Sequence, residues 1–99
     1  MRIIAIKTLK DFWQSQSHKD AQQPLRAWYH EVKKETWSKP SNVKEKYKNA
    51  SILKNKRVVF NIAGNKYRLV VAVQYDFQIV YIRFIGTHQE YDTINAEII

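Results

Sequence analysis

Arg57-Val-Val-Phe-Asn-Ile-Ala-Gly-Asn-Lys-Tyr-Arg-Leu-Val-Val-Ala-Val-Gln74 is the stretch that decides the fold. In its first six residues Val58, Phe60 and Ile62 alternate with Arg57, Val59 and Asn61, the period of two that belongs to a strand. Ala63-Gly64-Asn65-Lys66 then reads as a hairpin connection, since Gly64 and Asn65 tolerate positive φ. Tyr67 to Gln74 is apolar on both sides in its middle, which predicts a central strand.

Downstream, Tyr75-Asp76-Phe77 predicts a turn into a third strand, Gln78 to Ile85. Upstream, Lys39-Pro40-Ser41 breaks the chain, and Ser41 is the expected cap of a short basic turn through Lys48. Before it, Gln22-Gln23-Pro24 opens a helix with proline in its first turn, and Leu25, Trp28, Tyr29, Val32 and Thr36 keep helical spacing. Leu9, Phe12 and Trp13 mark an earlier helix, Thr8 to Ser17, capped by Thr8 or its neighbours. Met1 to Ala5 is short and isoleucine-rich, consistent with a first strand. The order is β-α-α-β-β-β, an α+β domain over residues 1–99 with two helices packed on one face of an antiparallel sheet.

Strand alternation then assigns faces. Leu69, Val71, Val73, Val80, Ile82 and Phe84 point toward the helices, while Arg57, Asn61, Arg68, Tyr81 and Arg83 stand on the side that the helices leave open. Three arginines on one surface suit a polyanion, although a paired structural arginine is an equal reading of Arg68 or Arg83.

The balance of charge agrees. Seventeen Lys and Arg against nine Asp and Glu give +8, distributed as +2 over residues 1–32, +9 over 33–68 and −3 over 69–99. A basic middle third can simply be a solvated face. It can equally be a phosphate-binding surface, in which released counterions make affinity salt-sensitive. Lys44, Lys46, Lys48, Lys56 and Arg57 are the candidate backbone contacts, with Asn61, Lys66 and Arg83 beside them. The absence of cysteine removes disulfides, thiolate metal sites and cysteine nucleophiles. Two glycines are too few for a phosphate-cradling loop, and no apolar run approaches the roughly 20 residues of a membrane span. No cofactor and no metal set is expected, and the chain reads as cytoplasmic.

The most chemically loaded segment follows the last strand: Gly86-Thr87-His88-Gln89-Glu90-Tyr91-Asp92. Its glycine is expected to release the strand. An imidazole exchanges protons near neutral pH, a phenol stacks or donates, and both can also be ordinary surface side chains. Regular alternation beyond Arg83 sets His88 on the side of Phe84, away from Arg68, so a joint site requires the strand to end or bulge at Gly86.

Val59 to Val70, followed by Tyr81-Ile82-Arg83-Phe84-Ile85-Gly86-Thr87-His88-Gln89-Glu90-Tyr91-Asp92, resembles the HigB toxin family within the RelE/ParE superfamily of type II toxin–antitoxin systems. The likeness runs through nearly the whole chain, including Ile3-Ile4-Ala5 and Leu9-Lys10-Asp11-Phe12-Trp13. It implies a RelE-like fold and a ribosome-dependent endoribonuclease that cuts translated messages and is silenced by a helix-turn-helix, HigA-like antitoxin. It also implies that the family's strand arginine falls on Arg68 and that its Gly-Thr-His-x-Glu-Tyr motif supplies His88 and Tyr91. Where RelE-type members carry lysines on the strand before the hairpin, this chain has Val59 and Asn61.

Metal-free RNA cleavage needs a base for the 2′-hydroxyl, positive charge for the phosphorane and an acid for the 5′-oxygen. On the resemblance, Arg68 grips the phosphate, His88 moves the proton, and Tyr91 stacks, orients the 2′-hydroxyl or donates. The expected partners are mRNA on the ribosome, ribosomal RNA and the antitoxin, with no membrane. Two other readings share the fold: a ParE-like gyrase inhibitor and a nucleic-acid-binding module without catalysis.

Overall fold

The computed structural model describes all 99 residues. Its elements are β1 (Arg2–Ile4), α1 (Ile6–Gln14), α2 (Gln22–Lys33), α3 (Pro40–Lys46), β2 (Ser51–Ile52), β3 (Arg57–Ile62), β4 (Tyr67–Gln74), β5 (Ile79–Thr87) and α4 (His88–Tyr91), with 3-10 turns at Gln16–Ala21 and Tyr75–Phe77. The sheet order is β1-β5-β4-β3-β2. No helix is long and apolar enough to cross a membrane.

The α+β architecture with helices on the sheet is as expected, and β3 and β4 have the expected limits. The sheet is mixed, however, because β1 lies parallel to β5. A strand followed by two helices has no hairpin to set its direction, and the free edge of β5 takes it. The edge strand β2, antiparallel to β3, has too few residues to show an alternation.

Helix limits move for local reasons. α1 begins at Ile6 without a side-chain cap from Thr8. Beyond its end at Gln14 the chain tightens into 3-10 geometry, so the expected extension to Ser17 is absent. Thr36 falls beyond the end of α2 at Lys33. At α3 the capping acceptor is Asn42, not Ser41: its Oδ1 receives the Ser38 and Lys39 amides at 2.9 and 3.2 Å. In the β3–β4 connection the positive φ values belong to Ala63 and Gly64, at 55° and 68°, rather than to Gly64 and Asn65.

The main core lies between the helices and the sheet. Leu9, Leu25, Trp28 and Val32 meet Val58, Phe60, Leu69, Val71, Val73 and Val80, with Trp37 and Tyr67 closing its ends. Burying an aliphatic or aromatic side chain of this size contributes about 1.5–3 kcal/mol.

The opposite face is not bare. Val59 and Val70 are covered by Ala96, with Phe84, Tyr91, Ile94 and Ile99 packed around them. Phe84 therefore sits opposite to its expected side. The register passes from Val71↔Ile82 to Val70↔Phe84, leaving Arg83 unpaired, and this extra residue shifts the alternation by one. Ile85 consequently packs toward the helices.

Candidate functional site

Three residues form a row across the open face at the hairpin end of the sheet: Asn61 on β3, Arg68 on β4 and Gly86 on β5, each in register with the next. The bulge at Arg83 is what brings Gly86 to this face. The strand does not stop at Gly86 but continues to Thr87. Glycine is needed there for another reason: a Cβ would stand 2.5 Å from the Phe84 ring and 2.9 Å from Glu90 Oε1.

Thr87 ends the strand by capping α4. Its hydroxyl accepts from the Glu90 amide at 3.2 Å, while Glu90 Oε1 accepts from the Thr87 amide at 2.8 Å. The reciprocal pair sets His88 at the first position of the helix, two residues past the register partner of Arg68. His88 is exposed, with Nε2 at 3.9 Å from Asp92 Oδ1. Tyr91, almost one turn later, is half-buried against the Val59–Val70 cluster, so its ring helps to roof the sheet beside the row.

Arg68 is half-buried, and no carboxylate reaches it within ion-pair distance. Its Nη1 donates to the Asn65 carbonyl at 2.9 Å and more weakly to that of Tyr67 at 3.4 Å. The hairpin turn therefore orients one edge of the guanidinium and leaves its charge uncompensated. That is the arrangement a phosphate requires.

The turn is itself pinned. Asp20, in the 3-10 segment after α1, accepts from both Lys66 Nζ and the Tyr67 phenol. The Lys66 hydrogen bond, reinforced by that of Tyr67, holds the Asp20 carboxyl below its usual range. The same bond raises Lys66, and burial foremost raises Tyr67. Phe12 stacks on His18 at 4.1 Å and meets Tyr67 edge-on at 5.1 Å, completing the latch.

The other candidate contacts fall into two groups. Lys44 donates to the Lys48 and Ala50 carbonyls at 2.7 and 2.8 Å, and so shapes the loop after α3. Arg57 Nε and Nη2 hold the Ile99 carbonyl at 2.9 and 2.6 Å, and Asn55 Nδ2 holds that of Glu97 at 2.9 Å. Lys66 belongs to the latch. These cations have structural duties. Lys48, Lys56 and Arg83 are exposed without an acidic partner, and Lys46 approaches Glu35 only at 3.9 Å. The Arg83 guanidinium lies 5.5 Å from the Tyr81 ring centre, and the Asn61 amide makes only a long 3.5 Å contact with the Asn49 carbonyl.

Sequence reading missed Asp20, the Asn65 carbonyl and the Thr87/Glu90 pair. The last carries a signal, the Thr-x-x-Glu spacing of a capping box. Asp20 carries none, being 46 residues from Lys66.

A family model described as HigB toxin, the RelE-like toxic component of a toxin-antitoxin system, matches residues 21–94. The chain is 33% identical over 98 residues to the mRNA interferase toxin HigB of Escherichia coli K12, covering 97% of this chain and 92% of that protein. The same identity and coverage relate it to the mRNA interferase HigB of Escherichia coli O157:H7 and of Shigella flexneri.

Proposed function

The chain belongs to the HigB family of RelE-like toxins, and from that premise we propose that Arg68, His88 and Tyr91 cut mRNA on the ribosome without a metal. The protein is the toxin of a toxin–antitoxin system and an endoribonuclease acting on mRNA. The observation that carries the site is the uncompensated Arg68, held by its own hairpin in register with the glycine that leads into His88.

Arg68 grips two oxygens of the scissile phosphate and neutralises the charge that develops as the 2′-oxygen attacks phosphorus. The base, His88 in this reading, takes the 2′-hydroxyl proton. The P–O5′ bond breaks, and the leaving oxygen receives a proton from Tyr91 or from the imidazolium. The products are a 2′,3′-cyclic phosphate and a 5′-hydroxyl, and all atoms balance without a metal. Exposed Lys46, Lys48, Lys56 and Arg83 dock message or ribosomal RNA, with Asn61 beside the phosphate. A helix-turn-helix antitoxin and a cytoplasmic site of action complete the proposal.

Primer extension on a translated message after brief induction tests it. Cuts within the reading frame, dependent on translation and absent with Arg68→Ala and with His88→Ala, are expected. Cuts that persist with His88→Ala move the proton transfer elsewhere, and cleavage abolished by EDTA at the chemical step overturns the metal-free mechanism.

A further inference from the structure

On the far side of the sheet from Arg68, the outer surfaces of α1 and α2 enclose an open groove of about 460 Å³. Its two walls are helical stripes at i, i+4, i+8. Lys10 stands on one, facing Arg26 and His30 on the other, and all three are exposed. Gln14 and Gln22 close the end nearest the 3-10 turn. No carboxylate lines the groove, and neither Lys10 nor Arg26 has an acidic partner. Trp13 and Tyr29 lie half-buried between the cations, with the His30 ring edge-on to Tyr29 at 5.6 Å and Lys33 Nζ 5.7 Å from the same ring.

We infer that this groove is a second RNA site, taking a short single-stranded segment by phosphate contacts to Lys10 and Arg26 and base stacking on Trp13 and Tyr29. Two aromatic rings set among unpaired cations are the sequence-tolerant combination used for single strands. A docked protein helix needs a row of apolar anchors, and Ile6 is the only aliphatic side chain here. The inference rests on the RNA-directed activity proposed above, but not on its catalytic residues. Because α1 and α2 lie across the sheet from the Asn61–Arg68–Gly86 row, the strand held here is a separate segment from the one being cut.

The test uses the full chain and 2′-O-methyl hexauridylate, which has no free 2′-hydroxyl to attack. Trp13 is the only half-exposed tryptophan, Trp28 and Trp37 being 3% and 1% exposed, so its indole resonance reports the groove. The expected result is a saturable Trp13 shift that survives Arg68→Ala. In Lys10→Gln/Arg26→Gln it weakens at least tenfold, with the log–log salt slope reduced by about 1.4 for two lost phosphates on a single strand. An unmoved Trp13, or a shift indifferent to the double variant, overturns the inference. So does a shift given by poly-L-glutamate but not by RNA, which assigns the groove to an acidic protein. Cleavage of a translated message, followed in parallel, keeps the two readings apart: a silent groove in a cleaving enzyme refutes only the groove, and an RNA-responsive groove in a non-cleaving protein refutes only the catalytic proposal.

Discussion

Arg68 and Gly86 are neighbours in register and carry opposite demands. In the proposed mechanism Arg68 presents a fork to the phosphate, so Arg68→Lys keeps the charge but loses the two-point grip and the Asn65 contact. Losing one charge-assisted hydrogen bond of about 1.5–3 kcal/mol corresponds to roughly 10- to 100-fold in rate. Single-turnover cleavage on programmed ribosomes should show that loss with ribosome binding unchanged. Gly86 must present nothing, since any Cβ meets the Phe84 ring at 2.5 Å and the Glu90 carboxylate at 2.9 Å. Gly86→Ala should cost about 1–3 kcal/mol through overpacking, seen as a Tm lowered by about 4–8 °C per kcal/mol. Activity should fall further than stability, because the displaced Glu90 is the cap that places His88.

Among the elements, the β3–β4 hairpin is the part whose chemistry depends on a distant 3-10 turn. Its turn supplies the carbonyl that orients Arg68, and Asp20 holds that turn through Lys66 and Tyr67. The sign of the pH dependence follows from the lowered Asp20 carboxyl. Below the unfolded Asp value of about 3.9 the unfolded chain takes up a proton that the folded latch resists, so stability falls as acidification proceeds through the folded value. Lys66 and Tyr67, both raised, act at the alkaline limb, where their contribution is lost as pH climbs past about 10. Thermal melts of Asp20→Asn and wild type should differ at neutral pH and converge in strong acid; parallel curves throughout would dissociate Asp20 from the acid limb. The hairpin strands were legible because alternation is local to each strand. The latch was not, because a carboxylate brought in by tertiary folding leaves no spacing to read. The bulge at Arg83 was equally hidden: it depends on the mismatch between two strands, and either strand alone looks regular. That single residue decides the side taken by Phe84 and Gly86.

Over the whole molecule, the cations of the +9 middle third, and Arg83 beyond it, divide into those that hold the chain and those that face outward. Lys44, Arg57 and Lys66 brace loops, the segment ending at Ile99 and the latch. Lys48 and Arg83 are exposed and unpaired. Lys48→Ala and Arg83→Ala should each reduce the log–log salt slope of ribosome binding by about 0.7–0.9 per lost phosphate, leaving cleavage of bound message intact. Arg57→Ala should instead lower Tm, because it frees the segment that roofs Val59 and Val70. Composition located the basic region but could not distinguish these duties, since net charge says nothing about which carbonyl a lysine meets.

Sheet order adds a matter of timing. β1 is made first, yet its only neighbour is β5, so Arg2 waits for Ile79 before it can pair. The β3–β4 and β4–β5 hairpins close over short loops, whereas this closure spans most of the chain and is expected to come late. The hairpin that carries Arg68 therefore closes on contacts local to it, whereas Gly86 and the α4 cap lie further along the chain, on the strand that β1 must also find. Assembly of the proposed site is deferred until translation has passed Tyr91, and a chain stopped short of β5 leaves the first strand unpaired and lacks His88 altogether.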